Sequence, residues 1–284
     1  MALIHTTLLD DRAVLAIAGN DAETLLQGLV TVDLGRLTAA QSAPSGNVFG
    51  ALLQPQGKIM FDFFIHAAEN GYLVDIDKTR AADFLKRLTL YRLRSKVTFS
   101  DLSESHAVVV SFGDADAADG PGPKDARFDA MGNRAVVAKA QAHALANATV
   151  SAYHAHRIRL GVPEAGKDFA YDDIFPHDAM MDALHGVDFS KGCYVGQEVV
   201  SRVQHRGTAR KRFYIVEGRA PLGALGDAVM MDDKTVGNLG SCDGGIGLAL
   251  LRVDKVAEGG ALHLAGAPLS ARLPAYFRLS SKDA

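Results

Sequence analysis

The feature that most constrains the fold of this 284-residue chain is a change of pattern after Lys211. Beyond that residue, short apolar segments are separated by glycine-containing turns, at residues 213–217, 228–231, 235–239, 246–250 and 262–264. Closely spaced short strands with turns of this kind are typical of a small closed β-barrel. We therefore predict a C-terminal β-barrel over residues 206–284.

The part of the chain before Lys211 mixes strands, hairpins and helices. Apolar-rich segments predict strands at residues 14–18, 47–53, 58–66, 72–77, 96–102 and 106–112. Asn70-Gly71 is a strong turn signal, so residues 58–77 are predicted to form a hairpin. Residues 113–126, rich in Ala, Asp, Gly and Pro, are predicted to be an exposed loop. Such a mixture indicates α+β layers and not a doubly wound parallel sheet.

Apolar residues three and four positions apart predict two amphipathic helices, one capped by Asn20 or Asp21 and one opened by Thr79. Their apolar faces are Ala22, Leu25, Leu26 and Leu29 in the first helix, and Ala82, Leu85, Leu88 and Leu93 in the second. A third helix is predicted over residues 151–160, with Gly161 as its stop.

Composition narrows the classes of function. The apolar content of 48% is that of an ordinary soluble globular protein, and no apolar run approaches the length of a membrane span. The formal net charge of -3 argues against a general nucleic-acid-binding protein. The first residues lack a secretory signal pattern, and Asp10 and Asp11 argue against a mitochondrial leader, so we predict a cytoplasmic location.

The chain has two cysteines, Cys193 and Cys242, too few for a disulfide framework or for a metal site held by this chain alone. We therefore expect no permanently bound metal. Cys242 follows Gly240-Ser241 in a predicted barrel turn, and we expect it to be structural.

Residues 191–198, Lys-Gly-Cys-Tyr-Val-Gly-Gln-Glu, carry the strongest functional signal. They place Cys193 in a glycine-containing turn before a predicted helix that ends at Gly207. Unpaired amides at the helix start and the nearby Lys191 would favour a reactive thiolate. The alternative is a small buried core residue, the commonest fate of a lone cysteine. Glycines at 192 and 196 are not needed by a core cysteine and favour the reactive thiol.

Basic residues cluster around the same segment, with Glu198 as the single acid among them: Lys191, Arg202, Arg206, Arg210, Lys211 and Arg212. Such a patch could hold an anion, such as a polyglutamylated cofactor tail, a phosphate or an RNA backbone. It could equally be a solvated helix end running into an edge strand. Both interpretations stay open.

The octet, with the following Val-Val-Ser-Arg, resembles the signature of the YgfZ family of folate-binding proteins. That family is related to the glycine-cleavage T-protein and includes the mitochondrial Iba-type iron–sulfur assembly factors. Further similarity covers most of the chain and is carried by Asp21-Ala22, Leu25-Leu26-Gln27-Gly28, Thr31-Val32-Asp33-Leu34, residues 53–58, Tyr91-Arg92-Leu93-Arg94 and residues 157–163.

The resemblance implies two α+β lobes, the second inserted in the first, and a C-terminal barrel around a central folate-binding opening. On this basis residues 1–46 and 148–205 form the first lobe, residues 47–147 the second, and residues 206–284 the barrel. Tetrahydrofolate or a derivative is the implied cofactor.

Residues near Cys193 are candidates for binding that folate. Glu198 or Gln197 could accept hydrogen bonds from pterin N–H groups, although an acid in a first helical turn also complements the helix dipole. Arg202 could meet the glutamate tail or pair with Glu198 four residues before it. Tyr194 could stack on a flat ring or simply pack, and Lys191 could bind an anionic group.

Lys58 and Asp62 fall on one face of a predicted strand, together with Met60. T-proteins carry an acidic pair in the corresponding segment, and one carboxylate serves aminomethyl transfer. Phe61 precedes Asp62 here, so one acid of the pair is missing. Losing a positioned acid or base lowers a rate by ~10²–10⁴, which disfavours aminomethyl transfer.

Histidines give little signal. On a helix the rings of His154 and His156 diverge, so we expect both to be surface residues. His177-Asp178 falls where relatives often carry a polar pair ending in glutamate, and the resemblance transfers no role to it.

The resemblance favours an accessory factor for iron–sulfur cluster assembly or repair, with Cys193 as its reactive or cluster-contacting thiol. Its partners would be iron–sulfur assembly or client proteins, including enzymes that thiolate tRNA. One alternative is a folate-dependent one-carbon transferase, an aminomethyltransferase or demethylase, that depends on Asp62. A weaker alternative is a tRNA-binding module that uses residues 202–212.

Overall fold

The structure is a computed structural model that describes residues 4–38, 46–113, 120–207 and 209–277. Contacts group the chain into two compact units. Unit 1 consists of Met1–Gln54, Met60–Tyr153 and Leu184–Val195, and unit 2 of Pro55–Ile59, His154–Ala183 and Gly196–Ala284. Among the described residues, no helix is both long and apolar enough to cross a membrane.

Unit 1 contains a five-stranded sheet in the order β3-β4-β5-β2-β6. Its strands are β2 (Arg12–Ala18), β3 (Asn47–Leu53), β4 (Ile59–Ala68), β5 (Gly71–Asp77) and β6 (Thr98–Asp101). The predicted hairpin is confirmed, because β4 and β5 pair antiparallel down to Ala68 opposite Gly71. Every residue of β3 is buried, so this strand lies inside the molecule.

A three-stranded sheet in the order β1-β7-β8 completes the strands of unit 1. Its strands are β1 (Ile4–Leu9), β7 (His106–Gly113) and β8 (Asn133–Ala138). Of these three strands only β7 was predicted. β1 pairs with β7, with Leu9 opposite Val108. Its strand conformation therefore depends on a partner that is distant in sequence, which a local pattern does not reveal. Residues 114–119 of the predicted loop lie outside the described residues.

Helices α1 (Ala22–Gln27), α2 (Gly35–Thr38), α3 (Ala81–Arg92) and α4 (Lys139–Leu145) belong to unit 1. Asp21 precedes α1 without capping it, because its carboxylate accepts the Lys96 N–H at 2.7 Å. The predicted face of α3 is confirmed in part, because Leu88 is buried and Leu85 packs partly buried against the core. Ala82 is exposed and Leu93 lies beyond the helix end, while Ala81 and Phe84 are buried instead.

Helix α5 (Val150–Leu160) ends at Gly161, as predicted, with a φ of 80° that suits glycine. The prediction that His154 and His156 are surface residues is wrong, because both are half-buried. His154 Nδ1 accepts the Arg157 Nε–H at 3.0 Å. Residues 161–196 contain no helix or strand of the described set, and helix α6 (Gln197–Arg206) follows them.

Unit 2 contains the closed barrel, with strand order β10-β11-β12-β9-β14-β13. Its strands are β9 (Lys211–Gly218), β10 (Ala228–Met231), β11 (Lys234–Asp243), β12 (Ile246–Arg252), β13 (Leu262–Leu264) and β14 (Ala267–Arg272), and the short helix α7 (Val253–Ala257) follows β12. The barrel and the α+β class are therefore confirmed. β14 was not predicted, because apolar and polar residues alternate only weakly along it.

The predicted division into two lobes and a barrel stays a prediction. β2, from the segment assigned to the first lobe, pairs with β5 and β6 from the segment assigned to the second. The five-stranded sheet therefore contains strands from both segments.

Candidate functional site

Lys191 is buried and anchors the Lys-Gly-Cys segment inside unit 1. Its ammonium donates to the carbonyl oxygens of Gln27 at 2.9 Å, Val30 at 2.6 Å and Val32 at 2.9 Å. These carbonyls lie at the end of α1 and in the turn after it, where backbone acceptors lack helical partners. The lysine therefore joins the segment to the C-terminal end of α1.

Two carboxylates surround this ammonium. Burial lowers the pKa of Lys191 to about 8, while the charges of Asp33 and Asp188 act in the opposite direction. Asp188 Oδ1 accepts the N–H groups of Ser190 at 2.8 Å and Lys191 at 3.1 Å, and its Oδ2 pairs with Arg36 at 2.6 Å. The turn before Cys193 is thus fixed by both side-chain and backbone hydrogen bonds.

Asp188 was not among the predicted site residues. The local sequence could have pointed to it, because an aspartate often forms an Asx turn by accepting the backbone N–H groups two and three residues later.

Cys193 is exposed, so the alternative of a buried core cysteine does not hold. Gly192 beside it is exposed as well, and a Cβ added there would meet no atom within 4 Å. The thiol thus lies on an open surface, two residues from a buried and immobilised lysine.

Tyr194 is buried and packs, which was one of the two roles considered for it. The Lys191 ammonium lies 5.4 Å from the centre of its ring. Burial, aided by Asp188, raises the pKa of the Tyr194 hydroxyl to about 12, so the phenol stays neutral. Residues 191 and 194 therefore hold the segment from its inner side while Cys193 faces outward.

Helix α6 begins after Gly196, whose φ of 81° is left-handed, and ends at Gly207, which is also left-handed. Gln197 is half-buried. Glu198 is exposed and pairs with Arg202 at 2.7 Å, the i, i+4 arrangement. With side-chain exposures of 84% for Glu198 and 54% for Arg202, this pair contributes little to stability.

Gly57, in the segment 53–58 of the family resemblance, lies next to helix α6 within unit 2. Gly57 has a φ of +85°, and a Cβ added there would lie 2.9 Å from Cβ of Val199. Glycine is therefore required at position 57, because its φ is positive and because a side chain would have no room. Lys58, the next residue, is half-buried.

Asp62 lies in β4 of unit 1 and is only 7% exposed, so it is the most buried carboxylate among the predicted site residues. The alternation that grouped it with Lys58 and Met60 is not visible in burial, because residues 59–66 of β4 are all buried. Phe61, where T-proteins were expected to have an acid, contacts Phe84 in the core with ring centres 5.3 Å apart.

The predicted basic patch is smaller than the sequence implied. Lys191 is buried, and Arg212 is 3% exposed and pairs with Asp182 at 2.7 Å within unit 2. Arg202 is neutralised by Glu198, while Arg206, Arg210 and Lys211 are exposed.

Cys242 does not lie in a turn as predicted. It lies in strand β11, opposite Gly247, and is half-buried with Sγ 3.4 Å from the Gly223 carbonyl oxygen. Among the described residues, no group of His, Cys, Asp and Glu side chains could hold a metal ion.

The fold is similar to that of a solved aminomethyltransferase. A glycine cleavage system aminomethyltransferase T from Bartonella henselae matches it with a TM-score of 0.76, covering 98% of this chain and 87% of that one. The sequence identity is 15%, so this likeness concerns the fold alone.

Sequence comparison defines the family more closely. Residues 210–279 match the CAF17 C-terminal beta-barrel domain. The mitochondrial iron-sulfur cluster assembly factor IBA57 of Homo sapiens is 30% identical over 96% of this chain and 85% of its own length. The IBA57 homolog of Mycosarcoma maydis is 36% identical over 76% of this chain. The chain therefore belongs to the IBA57 family of iron-sulfur cluster assembly factors, and the predicted resemblance is confirmed.

Coverage of these relatives differs. The chain spans 59% of the length of the Mycosarcoma maydis protein and 55% of that of the Neurospora crassa homolog. The predicted cytoplasmic location is wrong by this comparison, because the fungal, human and mouse relatives are all named as mitochondrial. That prediction rested on the pattern of the first residues, and the composition of a folded chain does not record its compartment.

Proposed function

We propose that this chain is an accessory factor for iron–sulfur cluster assembly or repair that acts through the thiol of Cys193. The observation that carries the proposal is an exposed cysteine on a turn held by the buried Lys191 ammonium and its three carbonyl acceptors. Relatives that are named iron-sulfur cluster assembly factors support the same role.

One thiolate supplies one ligand, whereas a protein-bound iron–sulfur cluster generally takes four. Cys193 would therefore share a transient cluster with cysteines of an assembly or client protein. Exposure of the thiol and the open space beside Gly192 suit that approach, because a partner's ligands must reach the same metal. Client enzymes that thiolate tRNA are part of this proposal.

Folate is the proposed cofactor, and the described residues fit it in part. Tetrahydrofolate would present a pterin edge of N–H donors and an anionic tail. The buried carboxylate of Asp62 suits the donor edge. Lys191 and Tyr194 have their polar or aromatic groups engaged within unit 1, so we do not include them in the proposed folate contacts. The other residues predicted to bind folate stay predictions, namely Lys58, Gln197, Glu198 and Arg202.

Folate-dependent aminomethyl transfer is the less favoured function. It would need an acid–base pair, and the position before Asp62 carries Phe61, which packs against Phe84. Because Phe61 can neither give nor take a proton, an accessory role is preferred over a transferase role.

The test is complementation of a deletion strain of the host, with the activity of an iron–sulfur enzyme, such as a tRNA methylthiotransferase, as the readout. Four alleles are compared: wild type, Cys193→Ala, Asp62→Ala and the matched control Cys242→Ala. We expect wild type and Cys242→Ala to restore activity fully and Cys193→Ala to fail. Asp62→Ala should restore activity at least in part, because it removes a folate contact and leaves the thiol in place. Rescue by Cys193→Ala, or the absence of any iron–sulfur defect in the deletion strain, would refute the thiol-centred role.

Folate binding is tested separately on the purified protein with 5-formyltetrahydrofolate, a stable derivative. A ligand at 100 times its Kd stabilises a folded protein by about 2.7 kcal/mol, which a thermal melt detects. Asp62→Asn should remove most of that stabilisation and Cys193→Ala should leave it intact. Turnover of a methylamine-bearing substrate that depends on Asp62 would instead favour the transferase.

The tRNA-binding alternative makes a distinct prediction. Affinity for tRNA would fall steeply with salt and with replacement of Arg210 and Lys211, both of which are exposed. Arg212 would have no part in it, because Asp182 already neutralises that residue.

A further inference from the structure

The end of helix α3 carries two exposed leucines that the fold does not use. Leu90 is 64% exposed and Leu93 is 87% exposed. They are three positions apart in the chain, Leu90 in the last turn of α3 and Leu93 directly after the helix. Single exposed leucines are ordinary on protein surfaces, but adjacent ones that bury nothing form a small apolar patch.

Leu93 also has an unfavourable backbone conformation. It follows the last residue of α3 with a φ of 45° and a ψ of -107°. This is a place where glycine commonly ends a helix, and a bulky residue with positive φ is an outlier. The segment is held in place, because Ser95 N–H donates to the Arg92 carbonyl at 2.8 Å and Lys96 N–H to Asp21 at 2.7 Å. The Leu93 side chain thus stabilises neither the end of helix α3 nor the core.

Basic residues are close to these leucines in the chain, and the acid that precedes them in α3 is Asp83. Residues 84–97 contain five basic residues and no acid, namely Lys86, Arg87, Arg92, Arg94 and Lys96. Four of them are exposed and Arg87 is half-buried. Within the described part of the chain, none of the five forms an ion pair. A fixed field of one sign that is not neutralised internally attracts an oppositely charged partner.

We infer that Leu90 and Leu93, together with these five basic residues, form a docking surface for an acidic segment of a partner protein. We call it the α3 surface. Leucine side chains would provide the apolar centre and the basic residues the polar rim, the usual anatomy of a protein interface. This inference goes beyond the proposed role of Cys193 and does not depend on it.

The composition of the surface favours a protein over a membrane or an RNA. A helix that lies on a membrane needs a continuous apolar face, whereas Ala81, Phe84 and Leu88 of α3 are buried in the core of unit 1. Leu85 and Tyr91 also pack against that core, so Leu90 and Leu93 are the exposed large apolar residues of this helix and its end. Single-stranded RNA is bound by stacking on aromatic rings, and leucines add nothing to phosphate contacts.

The first experiment measures fluorescence anisotropy of the full chain with two labelled peptides. One is a short peptide of glutamate and alanine that carries two leucines three positions apart, and the other has both leucines replaced by serine. We expect the leucine peptide to bind more tightly. The double variant Leu90→Ser/Leu93→Ser should weaken its binding by about tenfold or more, the fold-change expected for losing one buried leucine.

Charge is tested with Arg92→Glu/Arg94→Glu, which should abolish the salt-dependent part of peptide binding. Matched controls carry the same changes elsewhere: Leu225→Ser, at a leucine that is 63% exposed, and Arg219→Glu/Lys234→Glu, at two exposed basic residues of unit 2. These controls should bind the leucine peptide as wild type does. Circular dichroism and thermal melts of each variant exclude unfolding as the cause.

Two results would overturn the inference. One is equal binding of the leucine peptide by wild type and both α3-surface variants, or no binding at all. The other is a loss, in those variants, of binding to phosphatidylserine-containing vesicles or to bulk tRNA while peptide binding is unchanged. A photo-crosslinker at position 93 in cells gives an independent check, because its crosslinks should fall in segments rich in Asp and Glu. Crosslinks confined to neutral or basic segments would also contradict it.

Discussion

At the scale of single residues, Lys191 combines two opposing effects. Burial of its ammonium is unfavourable, and the carbonyl oxygens of Gln27, Val30 and Val32 offset that cost by hydrogen bonding. Replacing the lysine would leave these buried acceptors without a donor. The turn that presents Cys193 therefore depends on a side chain that does not itself reach the surface.

Lys191→Met should lower the free energy of unfolding by about 1–3 kcal/mol, the range for leaving buried polar groups unpaired. The Cys193 thiol should also react with a thiol reagent at a rate different from that of wild type, because its turn loses the anchor. Urea denaturation and a reaction with a chromogenic disulfide measure the two effects. Unchanged stability together with an unchanged reaction rate would show that the lysine is not an anchor.

Stability should also depend on pH through Lys191, whose pKa falls from 10.5 to about 8 on burial. Between these values the unfolded chain holds a proton that the folded chain has released, so the free energy of unfolding rises with pH. Below pH 8 the cost of burying the charge is present in full. The difference in stability between wild type and Lys191→Met should therefore grow from neutral pH toward pH 10.5. The difference between Lys191→Arg and Lys191→Met should stay constant, because neither side chain titrates in that range.

At the scale of elements, the two sheets of unit 1 are joined through a buried carboxylate on β5. Asp75 accepts from Arg12 of β2 and from Arg134 of β8, each at 2.6 Å. Burial alone would raise the pKa of Asp75, but the two guanidinium groups outweigh it and hold the pKa well below its usual range. The Arg134 guanidinium also stacks on Phe64, 4.0 Å from the ring centre.

Asp75→Asn should destabilise the protein by about 3–5 kcal/mol, because it removes the buried carboxylate that the Arg12 and Arg134 guanidinium groups share. Asp83→Asn is the matched control, since the Asp83 side chain is 66% exposed and lies 3.9 Å from Arg80. That control should change stability by less than about 0.5 kcal/mol. Chemical denaturation measures the free energy of unfolding of both variants. Equal losses in the two would mean that the buried ion pairs do not join the sheets.

Helix α6 depends on the glycine that contacts it. Gly57→Ala combines a positive φ with a Cβ only 2.9 Å from Val199, so it should destabilise unit 2 by about 1–3 kcal/mol. Gly192→Ala meets open space and should be close to neutral. Hydrogen exchange of the α6 amides would show the loss directly, and protection equal to that of wild type in Gly57→Ala would contradict the contact.

At the scale of the whole molecule, Arg157 connects segments that are far apart in the chain. It is fully buried and donates to Asp168 at 2.6 Å, to the Val162 carbonyl at 3.1 Å and to Ser241 of β11 at 2.9 Å. Asp168 in turn accepts the Ser241 N–H at 2.7 Å. Helix α5, the segment after it and the barrel are thus tied together by one guanidinium.

Arg157→Met should lower the free energy of unfolding by about 3–5 kcal/mol, because Asp168 would remain as an unpaired buried charge. Arg159→Met, two residues along the same helix, removes an ion pair with Asp243 in which both side chains are exposed, and should cost less than about 1 kcal/mol. Thermal melts of the two variants provide the measurement. Similar melting temperatures for the two variants would show that Arg157 does not connect these segments.

Most of what the sequence alone determined depends on short-range signals. Five of the six barrel strands, the hairpin at Asn70-Gly71 and the end of α6 at Gly207 were predictable, because turn residues and local periodicity specify them. The octet around Cys193 identified the family for a related reason, since its residues are contiguous. Exposure of the thiol agrees with the reactive role that was predicted for it.

Only the tertiary structure decided which side chains are engaged in internal contacts. Lys191 meets Gln27 from 164 positions away, β1 pairs with the distant β7, and Arg212 is neutralised by Asp182. In the sequence, Lys191 and Arg212 cannot be distinguished from basic residues that face solvent. Burial and pairing arise when distant segments pack together, and a pattern over a few neighbouring residues does not contain that information.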